Sequence, residues 1–228
     1  MSNYQRLLAV LTVVGLSAGT AWAATEFKTD QEKRSYAIGS SMARGLKQQG
    51  ISIDPALVSQ GLLDTLGDKS QLTDSEIGAI MQQLQEEVRQ RKMAEFQKVS
   101  AGNRQRGAAY VEENSKKEGV MTLPGGTLYK VLQAGNGKLP TDGDTVLCNY
   151  RGTLVDGKQF DASPPGKPVS FKVGQVIPGW REALKQMPVG SIWQLVIPAD
   201  QAYGERGAGN AIGPNETLIF EVELVGIQ

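Results

Sequence analysis

The pattern of apolar and polar residues divides this chain of 228 residues into two parts. Residues 26 to 118 contain few runs of β-branched residues and no glycine-rich turns of the hairpin type, and their apolar residues recur at spacings that fit helices. Beyond Glu118, apolar and polar residues alternate, and turn sequences follow one another closely. This alternation is typical of strands, so we expect a helical part followed by a part built on a sheet.

The first two helices are predicted from their end signals. Asp30 can cap a first helix that continues to about Gln48. Asp54 can cap a second helix, because Pro55 suits the first helical turn. This second helix is expected to end near Gly67.

The third predicted helix is much longer. It begins at a capping-box pattern, in which Thr73 is followed three residues later by Glu76. A helix from there to Asn114 is about 60 Å long, and Gly102 and Gly107 are expected to weaken its distal part by about 1 kcal/mol each relative to alanine. One apolar stripe runs along it, formed by Ile77, Ile80, Met81, Leu84, Val88, Phe96, Val99 and, more weakly, Tyr110 and Val111.

The length of this helix indicates self-association. Two short helices of the same chain are too small to cover about 60 Å of helix, so the apolar stripe near its start needs a partner surface. We expect residues 24–72 to form a helical dimerisation domain and residues 73–118 to form a long connecting helix, so that the protein is a homodimer through its N-terminal helices. The alternative is a monomeric helical bundle that folds back on itself.

The second part, residues 119–228, is expected to be one α+β domain. Asp156 and Gly157 form a hairpin-turn sequence between two strands, and residues 179–187 can form one short helix. The pattern predicts an antiparallel β-sheet wrapped on that helix. The last strand alternates regularly, and its apolar face is formed by Leu218, Phe220, Val222 and Leu224.

The first 23 residues have the features of a secretory signal peptide. Arg6 precedes an apolar run from Leu7 to Leu16, and Ala21-Trp22-Ala23 fits the small-residue cleavage pattern. Because the run is short for a membrane span, we expect residues 1–23 to be removed and the mature chain to start near Ala24. A retained membrane anchor is the alternative interpretation.

Composition excludes several classes of chemistry. The chain has no histidine, which removes the usual proton shuttle and the commonest metal ligand, so no metal site and no cofactor are expected. Its 24 basic and 24 acidic side chains balance, which makes nucleic acid a poor partner. Cys148 is the only cysteine, so no internal disulfide can form, and we expect it to be a buried core residue and not a nucleophile.

Candidate chemistry lies between Tyr150 and Tyr203, where DGKQFDAS, VIPGW and AYG follow in this order. With the longer strings NYRGTLVDGKQFDAS, VIPGWREALKQMPVG, AYGERG and IGPNETLIFEVEL, the C-terminal part resembles the FKBP-type peptidyl-prolyl cis-trans isomerases. The signal segment and the helical part further resemble the bacterial Mip-like branch, named after the macrophage infectivity potentiator. Several motifs in a fixed order are far more specific than any single motif.

This resemblance implies a proline-binding pocket with a polar edge. Trp180 would form the floor under the pyrrolidine ring. The Tyr203 hydroxyl and the Ile177 N–H would donate hydrogen bonds to substrate carbonyl groups. Asp161 would interact with the twisting peptide group or hold Tyr150 in place. The residues implied as catalytic are Asp161, Tyr203 and Tyr150, and those implied as substrate-binding are Phe160, Val176, Ile177, Trp180, Ile212 and Phe220.

The implied reaction suits these residue types. Rotation about an X-Pro bond has a barrier of about 18–20 kcal/mol because amide resonance must be lost. The rotation requires neither proton removal nor a metal, which agrees with the missing histidine. The resemblance implies unfolded or proline-containing polypeptides as substrates and inhibition by compounds of the tacrolimus class. It also implies a location in the periplasm, or at the outer membrane or cell surface, of a Gram-negative bacterium.

The pocket rim departs from the family pattern. Val169 stands where many members have an aromatic residue, and Ala208 and Ala211 replace bulkier residues after Tyr203. The residue preference at the rim therefore does not follow from the resemblance.

Two functions are open at this point. The first is an exported isomerase that also assists the folding of other exported proteins. The second is a dimeric binding or holdase chaperone whose catalysis is incidental.

Overall fold

The computed structural model describes residues 26–228, which belong to two compact units divided between Gln71 and Leu72. The predicted signal segment, residues 1–23, lies outside the described residues. Of the helices in the described range, none is both long enough and apolar enough to cross a membrane.

Helix α1 (Asp30–Gln48) opens the first unit, and its predicted cap is wrong by one residue. Thr29 is the N-cap, and its hydroxyl accepts a hydrogen bond from the Glu32 N–H. The Glu32 carboxylate in turn accepts from the Thr29 N–H. This capping box satisfies two N–H groups at once, so the helix starts from Thr29 and Asp30 becomes its first helical residue.

Helix α2 (Pro55–Leu66) completes the first unit and begins as predicted. The Asp54 carboxylate accepts hydrogen bonds from the N–H groups of Ala56 and Leu57. Gly67 follows the last helical residue.

The apolar side chains of this unit are largely exposed. Within the described chain, no residue of α1 or α2 is buried. The large apolar side chains with at least half of their surface exposed are Tyr36, Ile38, Leu57, Leu62, Leu63 and Leu66. An apolar surface of this extent is a feature of interaction sites.

Helix α3 (Asp74–Ser115) opens the second unit and has 42 residues. The predicted capping box is present, since the Thr73 hydroxyl accepts from the Glu76 N–H and the Glu76 carboxylate accepts from the Thr73 N–H. Val88 is a buried member of the predicted apolar stripe. The stripe's exposed members are Ile77, Ile80, Met81, Phe96 and Val99.

The distal half of α3 is held against the rest of the second unit. Its buried residues are small or polar, namely Asn103, Gly107 and Asn114. A methyl group at Gly107 would overlap the Thr217 hydroxyl, at a separation shorter than real contacts allow. The expectation that Gly107 only weakens the helix is therefore incomplete, because this glycine permits a close approach.

Seven antiparallel strands form the sheet of the second unit, in the order β1-β2-β6-β7-β3-β4, and β5 pairs with β3. The sheet and the helices confirm the predicted α+β class. The strands are β1 (Val120–Thr122), β2 (Leu128–Gln133), β3 (Thr145–Leu154), β4 (Gln159–Ala162), β5 (Val169–Lys172), β6 (Ile192–Ile197) and β7 (Leu218–Ile227).

Helix α4 (Pro178–Leu184) packs against the sheet and is shorter than the predicted 179–187. Beyond Leu184 the chain changes to i→i+3 hydrogen bonds, since the Gln186 N–H donates to the Ala183 carbonyl and the Met187 N–H to the Leu184 carbonyl. The helix cannot resume there, because Met187 precedes Pro188 and a residue before proline avoids the helical conformation. The predicted hairpin turn joins β3 to β4, with Gly157 at a φ of 85°.

The core lies between α4 and one face of the sheet. Cys148 in β3 has no exposed surface, which confirms that it is a core residue. As predicted, the alternating residues of β7 are buried in this core, namely Leu218, Phe220, Val222 and Leu224.

Candidate active site

A cavity of about 290 Å³ opens beside α4, with walls from β3, β4, β5 and β7. Its size is at the lower end of the range for small-molecule sites, about 300–1,000 Å³, and suits a single ring. The residues that line it are Tyr150, Phe160, Asp161, Phe171, Gln175, Val176, Ile177, Trp180, Tyr203 and Phe220. Of the site residues predicted from the sequence, all except Ile212 line this cavity.

Trp180 forms the base of the cavity. It lies in the first turn of α4, is only 4% exposed, and meets its neighbouring rings at steep angles. The ring centroids of Tyr150, Phe171 and Phe220 lie 5.5, 5.3 and 5.2 Å from that of Trp180. Edge-to-face contacts of this kind favour a fixed arrangement of the rings, so the neighbouring rings orient the indole of Trp180.

Gly179 allows the helix that carries Trp180 to sit close to the sheet. A methyl group at this position would lie 2.5 Å from the Ile197 Cγ2 atom in β6 and 2.9 Å from the Thr127 Oγ1 atom. Any larger residue would therefore push α4, and Trp180 with it, away from the sheet.

A second glycine, Gly152, lets two aromatic rings form the wall opposite. Gly152 lies in β3, where it pairs with Phe220 of β7 on one side and Asp161 of β4 on the other. The rings of Phe160 and Phe220 pack edge to face at 5.4 Å. A methyl group at Gly152 would lie 2.6 Å from Phe160 and 2.8 Å from Phe220, so both rings occupy the space that a side chain would need.

Asp161 and Tyr150 form the polar edge. The Tyr150 hydroxyl donates to Asp161 Oδ2 at 2.8 Å, and the Ala162 N–H donates to Oδ1 at 2.9 Å, so both carboxylate oxygens are oriented. Burial, and then the hydrogen bond to Asp161, raise the pKa of Tyr150 to about 12. Tyr150 is therefore a protonated donor at neutral pH.

Two further donors face the same cavity. Ile177 immediately precedes α4, and Tyr203 lies in the loop between β6 and β7 with 43% of its side chain exposed. Within residues 26–228, neither the Ile177 N–H nor the Tyr203 hydroxyl donates a hydrogen bond to another group of the chain. Both donors are available to a ligand.

Ile212 is placed differently from the other predicted residues. It is 8% exposed and belongs to the hydrophobic core, where it pairs with Ala208 through two backbone hydrogen bonds of 2.9 and 3.1 Å. It does not line the cavity, since its side chain packs in the hydrophobic core.

Sequence reasoning missed two lining residues, Phe171 and Gln175. Phe171 supplies an aromatic ring close to Val169. The presence of Val169 had suggested a pocket rim that lacks an aromatic residue. Val169 pairs with Cys148 and Phe171 with Val146, so both lie in β5 two residues apart. The signal was the alternation of the sequence VSF, which places both side chains on one face of the strand.

Nucleophilic chemistry has little support at this site. Burial, with a smaller contribution from Glu223, raises the pKa of the Cys148 thiol to about 12. Among the described residues, no group of three or more acidic or cysteine side chains is arranged to hold a metal ion. The site instead combines apolar walls with fixed hydrogen-bonding groups.

An antiparallel sheet wrapped on one short helix, with an aromatic cavity between them, is the arrangement of an FKBP-type isomerase domain. The family model for FKBP-type peptidyl-prolyl cis-trans isomerase matches residues 136–225. A second model, described as the domain amino terminal to FKBP-type peptidyl-prolyl isomerase, matches residues 31–131. The chain therefore belongs to the FKBP-type peptidyl-prolyl cis-trans isomerases and is an enzyme of that type.

Relatives of known name place the chain in the Mip-like branch. It is 42% identical to Outer membrane protein MIP of Legionella longbeachae, over 97% of each chain. It is 41% identical to Peptidyl-prolyl cis-trans isomerase Mip of Coxiella burnetii, over 98% of this chain and 99% of that one. The crystal structure of FkpA from Escherichia coli matches with a TM-score of 0.72 at 42% identity, over 89% of this chain and 99% of that chain.

Proposed function

We propose that the protein accelerates X-Pro rotation by binding the proline ring over Trp180, in the cavity that the aromatic side chains enclose. The observation that carries this proposal is the set of three rings packed edge to face around Trp180, which leaves an open apolar cavity of about 290 Å³ above it. A pyrrolidine ring is apolar, compact and rigid, so it matches this space.

The apolar walls favour the twisted amide over the planar one. The planar amide is more polar because of its resonance, and that resonance is the source of a barrier of about 18–20 kcal/mol. Transfer from water to an aromatic cavity therefore destabilises the planar ground state more than the twisted state. Only such differential interactions raise the rate.

The polar edge adds groups that are already oriented. Asp161, held by Tyr150 and the Ala162 N–H, lies beside the amide that twists. The Tyr203 hydroxyl and the Ile177 N–H can donate to the carbonyl groups that flank the proline. Fixed donors of this kind cost no reorganisation during the reaction.

The assignment of these residues is tested by isomerisation kinetics on a proline-containing peptide. We expect Asp161→Ala to lower kcat/KM at least about tenfold and Tyr203→Phe to lower it about three- to tenfold, because each removes an oriented polar group. Glu86→Gln is the matched control, since Glu86 forms only exposed contacts on α3. Two pocket variants with wild-type kinetics would refute the assignment.

We also infer that three successive parts of the chain have separate roles. Residues 24–72 mediate dimerisation, residues 73–118 connect, and residues 119–228 carry out the isomerisation. The support is the exposed apolar surface of α1 and α2. Two pockets in one dimer could engage one unfolded chain twice, which raises the effective concentration at the second site.

A second activity, holdase chaperoning, has support of its own. Along the middle of α3, Met93, Phe96 and Val99 are 55%, 44% and 44% exposed, although all three are apolar. Such a surface suits the transient binding of unfolded segments. We expect the double variant Met93→Gln, Phe96→Gln to be weaker than the wild-type chain at suppressing the aggregation of an unfolded client. It should retain peptide isomerisation. If Asp161→Ala abolished both activities, the holdase role would have no independent basis.

We propose that the protein is exported, because residues 1–23 have a signal-like sequence, and the name of the Legionella relative, Outer membrane protein MIP, is consistent with export. The test is mass spectrometry of the protein recovered from the periplasm of a Gram-negative host. We expect a mature N-terminus near Ala24. An intact N-terminus in the membrane fraction would favour the retained anchor.

A further inference from the structure

The loop between β6 and β7, residues 198–217, carries Tyr203 and is fastened to α3. Tyr203 is 43% exposed, so packing of its own side chain does little to hold it. It is followed by Gly204, whose φ is 59°, a conformation that glycine adopts without strain. The position of Tyr203 therefore depends on what holds the backbone of this loop.

Asn215 connects the loop to the helix. Its N–H donates to the Gly204 carbonyl at 2.8 Å, directly after Tyr203. Its side-chain amide donates to the Ser100 hydroxyl of α3 at 2.7 Å. Asn215 is 6% exposed and has a φ of 55°, which few residues other than glycine and asparagine adopt readily. One residue thus joins α3 to the turn that presents Tyr203.

Asn103 forms a second attachment one turn further along α3. Its amide donates to the Pro214 carbonyl at 2.8 Å, and the residue is only 2% exposed. Arg106 donates to the Asn103 side-chain oxygen, which orients the amide. A buried hydrogen bond of this kind costs more to break than an exposed one, because the carbonyl is left without a partner.

Helix α3 also fits the loop sterically. Thr217 occupies the space that a side chain at Gly107 would need, so the helix backbone and the loop lie in close contact. The ion pair of Arg104 with Glu205 spans the same boundary at 3.0 Å, but both side chains are exposed and such pairs contribute little. The buried amides, and not this ion pair, fasten the loop.

We propose that Ser100, Asn103 and Asn215 are positioning residues that hold Tyr203 at the edge of the cavity. On this proposal the distal part of α3 is a working part of the isomerase site and not only a connector. The proposal rests on the proposed role of Tyr203 in binding the substrate. It predicts that substitutions in α3 at its contact with the loop lower the rate of isomerisation because they displace Tyr203.

The test uses the full mature chain, three disruptive substitutions, one conservative substitution and one control. Ser100→Ala removes the hydroxyl, and Asn215→Gly removes the side-chain amide while it keeps the backbone conformation. Asn103→Asp keeps the size of the side chain but removes the donor to Pro214. Ser100→Thr keeps a hydroxyl and should restore activity, and Glu86→Gln on the same helix is again the control.

We expect Ser100→Ala, Asn215→Gly and Asn103→Asp each to lower kcat/KM about three- to tenfold, mostly through KM, because the lost bonds position a substrate-binding group. In a Tyr203→Phe background, the same substitutions should change kcat/KM less than about twofold, since they act through the group already removed. Thermal unfolding is measured in parallel.

Two outcomes would overturn the proposal. Equal fold-changes in the wild-type and Tyr203→Phe backgrounds would show that the residues act without Tyr203. Wild-type kinetics for the variants, whatever their unfolding temperature, would show that α3 has only a structural role. If the wild-type chain and Asp161→Ala were equally inactive, the proposed function would itself fail, and this outcome is distinct from the other two.

Discussion

At the scale of single residues, glycines shape the site as much as the aromatic residues do. Gly152 leaves room for Phe160 and Phe220 to meet across β3, and Gly179 seats α4 and thereby Trp180. Neither glycine needs a positive φ. Both are required because of the space that a side chain would take.

Substitution of Gly152 tests this role directly. A methyl group 2.6 Å from Phe160 and 2.8 Å from Phe220 must displace at least one ring. We expect Gly152→Ala to destabilise the fold by about 1–3 kcal/mol, as overpacking does, and to lower kcat/KM by moving the wall. The control is Gly226→Ala, also in a strand, where nothing lies within 4 Å of the added methyl group. Equal effects of the two substitutions in urea unfolding and kinetics would contradict this account.

The buried thiol gives a prediction about pH and reactivity. Burial raises the pKa of Cys148 to about 12, whereas a thiol in an unfolded chain has a pKa of about 8.5. A raised folded-state pKa stabilises the fold fully below the unfolded pKa, and this contribution is lost as the pH rises from about 8.5 towards 12. We expect no reaction with a disulfide reagent at pH 8 in the native protein and full reaction in urea. Rapid labelling of the native protein would contradict the burial of this thiol.

At the scale of elements, the distal part of α3 belongs with the sheet. It buries Asn103 and Gly107, and it reaches the loop that carries Tyr203. A connector needs no such contacts. The helix therefore has two kinds of surface, an exposed apolar one in its middle and a buried polar one near its end.

Two glycines of α3 should respond with opposite signs to the same substitution. Gly102→Ala should stabilise the fold by about 1 kcal/mol, because alanine is the better helix former and only the flexible end of Arg106 lies near, at 3.4 Å. Gly107→Ala should destabilise it, because the methyl group would overlap the Thr217 hydroxyl. Chemical unfolding of both variants measures the difference. Stabilisation by Gly107→Ala would show that α3 does not pack closely on the loop.

Local sequence signals predicted much of this arrangement. The capping pattern of Thr73 and Glu76 is a local signal, whereas the aromatic set was implied by the resemblance that DGKQFDAS, VIPGW, AYG and the longer strings around them carry. The alternation of VSF places Val169 and Phe171 on one face of β5, but it does not show that this face turns toward the cavity. Phe171 was missed because that depends on the pairing of β5 with β3. The same holds for Gly107, since its neighbour Thr217 lies more than 100 residues away in sequence.

At the scale of the whole molecule, the exposed apolar side chains of α1 and α2 point to a homodimer. Light scattering should give about twice the mass of the mature chain, as for a closed two-fold assembly. We expect Leu66→Glu, at a side chain that is 76% exposed on α2, to produce monomers by placing a charge in the interface. Leu139→Glu is the control, since Leu139 is 54% exposed in the second unit. A wild-type monomer at micromolar concentration would contradict the prediction.

The cavity over Trp180 is the proposed site at which X-Pro rotation is accelerated. The most direct measurement is the rate of cis-trans isomerisation of a proline peptide by the mature chain, with and without a tacrolimus-class compound that occupies the cavity. We predict a clear acceleration that falls to the uncatalysed rate as the compound reaches one equivalent per chain. Acceleration that persists while the compound is bound in the cavity would contradict the account.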